Sequence, residues 1–290
     1  MSKLNQAFLR AYNRDLPART GGPHLPLPES KPSAQSVHAT FQHLEARVAP
    51  HVPEPEPPPI DELSRFSPAW EVDELPWPAI CDQMRDATGQ DLFGAIERWR
   101  QSSEACAQVV GVTSLIRREG RSTVAASLAR AAAGAGRRVA LLDADLESPR
   151  LSLALELGID TAWTDCAQHH KSLSEAAVRT VADDLVLFPL TTESRMSPLS
   201  WNSPGTLELF RQLRSHFDLI VVDLGPLTDV LKRGLQGGDD SPLDGTVLLR
   251  DVRITGADQV LLIARELHHA GLNIVGVVDN FNESDASWSS

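Results

Sequence analysis

Apolar residues between 107 and 281 recur in short continuous runs, and longer stretches with helical spacing separate these runs. Six runs predict strands, at 108–113, 138–144, 184–190, 218–224, 245–250 and 273–280, and the segments 122–135, 207–216 and 257–270 predict helices. Gly134, Gly136 and Gly271 stand where helix ends need a left-handed residue. Buried strands joined by helices predict an α/β fold, with helices on both faces of a parallel sheet.

Proline sets the beginning of the chain apart from the rest. Eleven of the 20 prolines lie between Pro17 and Pro59. Such a segment cannot bury enough apolar surface to offset its ordering entropy, so residues 1–60 are predicted to consist of an N-terminal helix and a proline-rich disordered linker. Helical spacing within it, at 3–14 and 38–48, leaves two readings open for the first stretch, a docking peptide for a partner or a frayed terminus.

Three further regions follow this linker. The composition of residues 61–105 predicts a short helical lead-in that packs on the main domain. Trp70 and Trp77 lie in this region and are interpreted as core or interface anchors, as is usual for large aromatic side chains. The main domain is predicted at 106–283, and a disordered tail at 284–290.

Charge and cysteine content exclude several classes of function. The chain has 39 acidic residues and 27 Lys and Arg residues, a formal charge of −12, which disfavours nucleic-acid binding. Cys81, Cys106 and Cys166 are far apart and form no CxxC pair, so neither a zinc site nor a disulfide framework is indicated. No signal peptide is recognised and no apolar run approaches the roughly 20 residues that span a bilayer. The expected location is the cytoplasm.

Polar residues mark three strand ends of the predicted sheet, where ligands bind in folds of this class. The segment 113–123 joins the first strand to a long helix, the position of a phosphate-binding loop. It matches the pattern GxxxxGK[ST] at Gly120 and Ser122 alone. Asp143 and Asp145 end the second strand, and Asp223 ends a later one, where a carboxylate typically orients a magnesium-bound water. Together the three features predict a nucleotide site.

Residues 108–281 resemble the bacterial tyrosine kinase (BY-kinase) domain of polysaccharide biosynthesis, within the ParA and MinD (SIMIBI) class of P-loop ATPases. The resemblance is carried by VTSLIRREGRSTVAASLARAAAGAGRRVALLDADLESPRL, by FDLIVVDLGPL and by GVVDN. It implies ATP or ADP with Mg²⁺ as cofactors. The implied ligands of the metal are Ser122, Asp143, Asp145 and Asp223; those of the nucleotide are Arg118, Glu119, Gly120, Arg121, Ser122, Thr123 and, near the adenine, Asn280; the catalytic residues are Arg121, Asp145 and Asp223.

The chain departs from the family pattern where the chemistry should occur. Arg121 replaces the lysine that reaches the β- and γ-phosphates, which is not a conservative change at a tight site. Arg118 replaces a glycine, and is expected to disturb the loop if this position requires positive φ. Glu147 replaces an arginine and reverses a charge beside the site. Residues 281–290 lack the family's tyrosine cluster, which leaves Tyr12 as the only tyrosine that could accept a phosphate.

These departures predict a catalytically weak or inactive nucleotide-binding regulator in bacterial exopolysaccharide synthesis and export. The resemblance implies a membrane polysaccharide co-polymerase or export protein as partner, and recruitment to the inner face of the cell membrane. Glu97 and Arg100 match half of the ExxRxxR motif by which the family forms rings, but Ser103 replaces the last arginine, so homo-oligomer formation stays open. The alternatives are an active ParA- or MinD-type ATPase, a nucleotide-free interaction scaffold and an active tyrosine kinase.

Overall fold

The computed structural model describes residues 66–103, 107–169, 171–196, 199–238, 241–269 and 271–281. The predictions made for the linker at 1–60, for Tyr12, for Cys106 and for the tail at 284–290 therefore lie outside the described residues.

Eight strands form one sheet, in the order β1-β4-β5-β3-β6-β2-β7-β8. Their bounds are β1 Trp70–Val72, β2 Val109–Ser114, β3 Val139–Ala144, β4 Val178–Thr180, β5 Leu185–Phe188, β6 Leu219–Leu224, β7 Gly245–Asp251 and β8 Ile274–Asn280. Neighbouring strands are parallel except for the antiparallel pair β4 and β5. The α/β fold class and all six predicted strands are confirmed. The strands β1 and β4 were not predicted, because three residues are too few to show a period.

Helices cover both faces of this sheet. They are α1 Ala79–Met84, α2 Gln90–Ser102, α3 Arg121–Gly134, α4 Arg150–Ala154, α5 Trp163–His169, α6 Pro204–His216, α7 Leu227–Lys232 and α8 Ala257–His269, with a π-helical turn at Arg85–Gly89 and a 3₁₀ turn at Thr192–Met196. Gly136 and Gly271 have positive φ, as predicted, whereas Gly134 is the last residue of α3 and does not. Within the described segments, no helix has the length and apolarity that crossing a bilayer requires.

Two apolar layers, one on each face of the sheet, form the core. One layer includes Trp163, Trp201 and Phe210, and the other is built around the alanine-rich helix α3. The lead-in region packs on this second layer through Trp77 and α2, although the structure adds the edge strand β1 to the helices predicted there. Trp70 on that strand is 52% exposed, so it is not a core residue, and its predicted role as an interface anchor stays a prediction.

Strand register places the predicted site at one edge of the sheet. Asp143 on β3 lies directly opposite Asp223 on β6, and Val112 on β2 pairs with Asp223 from the other side. The carboxyl ends of these three central strands therefore meet, with the loop that follows β2 above them. The fold brings together residues that are 80 or more positions apart in the chain.

Candidate functional site

The segment 115–120 forms a tight loop between β2 and α3. Gly120 has φ +99 and precedes the first residue of α3, and a Cβ atom at this position would overlap Asn280 Nδ2. Only glycine meets both requirements. Arg118 has φ 72 and an exposed side chain. This position therefore adopts the left-handed conformation although an arginine stands there in place of the family glycine.

The side chain of Arg121 turns into the loop and is 8% exposed. Its Nε donates to Leu224 O at 2.9 Å, and its Nη1 donates to Ser114 Oγ at 2.6 Å and Ile116 O at 2.8 Å. Its Nη2 lies 3.3 Å from Asp145 Oδ2. The guanidinium, which stands in the position of the family lysine, thus binds acceptors of the protein itself.

Glu119 is fully buried beneath the loop. Its carboxylate accepts from Ile116 N at 3.0 Å, and from Asp251 N and Thr255 Oγ1 at 3.1 Å each. An amide of the loop that could bind phosphate is therefore already bonded within the chain. The same carboxylate ties the loop to the turn after β7.

Two of the three aspartates at the strand ends have protein partners. Asp143 Oδ2 accepts from Ser152 N at 2.8 Å and Ser152 Oγ at 2.6 Å. Burial raises the pKa of Asp143 to about 6, although these hydrogen bonds act in the opposite direction. Asp145 accepts from Arg121, Arg117 and Ser148 N.

Asp223 differs from both of these aspartates. Its side chain is buried, and neither carboxylate oxygen has a hydrogen-bond partner among the described residues. Burial raises its pKa well above the ordinary value, and the negative charge of Asp143 raises it further. The hydroxyl of Ser122 approaches this carboxylate and opposes the shift, without completing a hydrogen bond. A buried polar group without a partner is costly, so this carboxylate is the group of the site that a ligand or ion could satisfy.

The arrangement suits Mg²⁺, which needs few protein ligands, better than it suits a metal ion whose ligands all come from the protein. In the portion of the chain covered by the structure, no three His, Cys, Asp or Glu side chains lie close enough together to hold a metal ion. Mg²⁺ commonly takes one or two carboxylates and completes its shell with water and substrate phosphates. Asp223 and the Ser122 hydroxyl fit that requirement, whereas Asp143 and Asp145, also predicted as ligands, are engaged elsewhere.

Ion pairs cross the rim of the site. Arg117 on the loop pairs with Asp145 at 3.3 Å and with Asp229 on α7 at 2.7 Å. Glu147 pairs with Arg233 at 2.8 Å, so its reversed charge has a partner within the chain. No sequence pattern points to Asp229, because only the folded sheet brings α7 beside the loop.

Asn280 contacts the loop directly. Its Nδ2 donates to Glu119 O at 2.8 Å, and its Oδ1 accepts from Phe281 N at 2.9 Å. Thr123 lies in the first turn of α3, and its carbonyl accepts from the Ser127 hydroxyl. The sequence-predicted site residues therefore lie at one end of the sheet. The side chains of Arg121 and Asn280, however, donate hydrogen bonds to acceptors of the protein.

Glu97 and Arg100, the half-motif for ring formation, pair with each other on α2. Arg100 also donates to Ala107 O and to Asp218 O, and Arg137 pairs with Glu97. Both side chains thus contribute to the packing of α2 within this chain.

The class of protein to which the chain belongs follows from its match to a protein family. Residues 119–288 match the CobQ/CobB/MinD/ParA nucleotide binding domain, and the chain belongs to this family.

Individual relatives include a bacterial tyrosine-protein kinase and a succinoglycan biosynthesis transport protein, each less than 30% identical to this chain. The chain is 25% identical over 181 residues to the tyrosine-protein kinase CpsD of Streptococcus pneumoniae, covering 62% of this chain and 78% of that protein. It is 27% identical over 146 residues to the succinoglycan biosynthesis transport protein ExoP of Rhizobium meliloti (strain 1021), covering 47% of this chain and 19% of that protein. The kinase domain of VpsO has the same fold, with a TM-score of 0.56, 21% identity and coverage of 69% of this chain and 97% of that one.

Proposed function

We propose that this chain is a BY-kinase-like P-loop protein that binds a magnesium nucleotide and regulates bacterial exopolysaccharide synthesis and export. The observation that carries the proposal is the buried carboxylate of Asp223, which has no hydrogen-bond partner among the described residues and lies beside Ser122 at the start of α3. In a chain of the nucleotide-binding family, a role in binding explains why a carboxylate that lowers stability is kept in this position.

Each part of the site has a role in this proposal. The N-terminus of α3 and the remaining loop amides attract phosphate groups, because unpaired N–H groups and the helix dipole favour anions. Ser122 and Asp223 hold Mg²⁺, which neutralises phosphate charge when bound.

Weak phosphoryl transfer follows from the position of Arg121. A cation directed at the transferring group contributes several kcal/mol to such transition states. The guanidinium of Arg121 is committed to Leu224 O, Ile116 O and Asp145 instead. We therefore expect both ATP and ADP to bind, and we expect the transfer of the γ-phosphate of ATP to be inefficient.

A nucleotide-free interaction scaffold is the second candidate. The internal bonds of Glu119 and Arg121 favour it, because they satisfy part of the loop without a ligand. This alternative predicts that partner binding persists when Ser122 and Asp223 are replaced.

The biological setting is proposed from the relatives. One is named a tyrosine-protein kinase and another a biosynthesis transport protein for succinoglycan. We infer that the chain acts in the cytoplasm and is recruited to the cell membrane by a polysaccharide co-polymerase or export protein. The residues before 66 are the proposed tether for that partner.

Calorimetric titration of the full chain with ATP tests the proposal. We expect micromolar binding in the presence of Mg²⁺, and at least tenfold weaker binding after EDTA treatment or in Ser122→Ala. The matched control is Ser215→Ala, an exposed serine in the last turn of α6, which should bind as the wild type does. No binding by the wild-type chain at millimolar nucleotide would overturn the proposal and favour the scaffold.

A further inference from the structure

An exposed guanidinium lies over an exposed aromatic ring at the end of β8. The Cζ atom of Arg253 is 3.6 Å from the centroid of the Phe281 ring. Phe281 is 41% exposed, and the Arg253 side chain is 53% exposed. The ring therefore keeps surface for a further contact although the guanidinium covers part of it.

Two separate sets of hydrogen bonds connect this pair to the loop at 115–120. On one side, Asn280, the neighbour of Phe281, donates to Glu119 O at 2.8 Å. On the other side, the buried carboxylate of Glu119 accepts from Asp251 N and Thr255 Oγ1, which flank Arg253 in the turn after β7. The position of the stacked pair relative to the phosphate-binding loop is thus fixed by hydrogen bonds.

Arg253 is held in place before any ligand arrives. Its Nε donates to Asp251 Oδ1 at 2.9 Å and its Nη2 to Asp251 Oδ2 at 2.7 Å. The Asp251 side chain is 1% exposed, and this ion pair lowers its pKa. A guanidinium whose rotamer is already fixed loses little entropy when a flat group stacks on it or beside it.

Phe281 is also fixed in an uncommon conformation. Its φ is 61, in the left-handed region that few residues other than glycine adopt, and its N–H donates to Asn280 Oδ1. The side-chain amide of Asn280 thus bonds to the loop and to the backbone of Phe281, so that Asn280 acts as a positioning residue for the ring.

We propose that Phe281 and Arg253 form the stacking surface for the base of the nucleotide whose phosphates bind at the loop. This inference rests on the proposed function and extends it to two residues outside the family pattern. Aromatic rings and arginine planes both stack on bases, and such contacts contribute about 1–3 kcal/mol per base. Because every base has a π-face, the surface accepts ATP and GTP with similar affinity.

The test separates the base from the phosphates. The full chain is titrated with magnesium ATP and with magnesium tripolyphosphate, which has no base, as wild type and as Phe281→Leu. The leucine retains apolar bulk without a ring. We expect ATP affinity to fall at least about fivefold, as the stacking contribution requires, and tripolyphosphate affinity to stay unchanged.

A second variant and a control complete the design. Arg253→Lys keeps the charge but removes the plane, and should weaken ATP binding while leaving tripolyphosphate binding unchanged. Trp70→Leu removes an exposed aromatic side chain at the opposite edge of the sheet and should change neither affinity. Unchanged ATP affinity in Phe281→Leu, or an equal loss for both ligands, would overturn the inference alone. A wild-type chain that binds neither ligand would overturn the proposed function with it.

Discussion

Two buried arginines on helix α3, Arg121 and Arg130, have very different surroundings. Arg130 pairs with Asp82 at 2.7 Å and with Asp183 at 2.8 Å, and its guanidinium lies 4.9 Å from the centroid of the Trp77 ring. Trp77 itself donates to Asp183. In this region, where the lead-in packs on the main domain, the positive charge of Arg130 faces two carboxylates.

Arg121 faces mainly neutral acceptors at the other end of the helix. Its one carboxylate partner, Asp145, is shared with Arg117, while Asp223 nearby has no hydrogen-bond partner in the described structure. The polar groups around Arg130 stabilise the fold and satisfy one another. The groups around Arg121 leave the buried carboxylate of Asp223 without a hydrogen-bond partner, which lowers the stability of the fold. Such a loss of stability is expected at binding sites.

The largest effect should come from Arg130→Met. The substitution leaves Asp183, which is 10% exposed, without its cation, and removal of one member of a buried pair costs about 3–5 kcal/mol. We expect the free energy of unfolding in urea to fall by about 3 kcal/mol, since Asp82 is half exposed and contributes less. The control Arg138→Met breaks an exposed pair with Asp218 and should cost less than about 1 kcal/mol. Equal losses in the two variants would contradict the account of this region.

A second effect should appear in the dependence of stability on pH without magnesium. Burial raises the pKa of Asp143 to about 6, so its contribution to stability is fully present below the ordinary carboxylate pKa and is lost as pH rises through about 6. Relative to Asp143→Asn, the wild type should lose on the order of 2 kcal/mol between pH 4 and pH 7. Urea titrations of both proteins at several pH values measure this difference, and parallel curves would refute it.

A smaller loss of stability, with a gain of activity, is expected for Arg121→Lys. The ammonium cannot reach Leu224 O, Ser114 Oγ and Asp145 together, so we expect a cost of about 1–2 kcal/mol in unfolding free energy. A lysine freed from these acceptors can reach phosphate, so ATP turnover should rise at least about tenfold. An unchanged turnover would show that Arg121 is not what limits catalysis.

The sequence predicts the long strands of the fold better than its shortest ones. Six apolar runs are long enough to identify the central strands, and Gly136 and Gly271 mark helix ends through their need for positive φ. The strands β1 and β4, which lie next to each other at one side of the sheet, have three residues each, and their pairing depends on tertiary contacts. Local patterns carry no information about such pairs.

The site shows the same limit at the level of side chains. Its location follows from strand ends, since the loop, Asp143 and Asp223 must meet at one edge of a parallel sheet. The direction of Arg121 does not follow, because Leu224, which accepts from it, is 103 residues away. Likewise the partners of Glu119 in the turn after β7 are more than 130 residues distant.

The most direct test of the central claim is Asp223→Asn, measured by calorimetry with magnesium ATP and by urea unfolding of the ligand-free chain at pH 7. We predict that ATP affinity falls at least about tenfold while the unfolding free energy stays equal or rises, because the variant loses a metal ligand and a buried charge together. Asp184→Asn, in an exposed turn, serves as the matched control and should change neither quantity. Wild-type ATP affinity in Asp223→Asn, or a large loss of stability in the absence of nucleotide, would contradict the claim that this carboxylate is kept for a ligand.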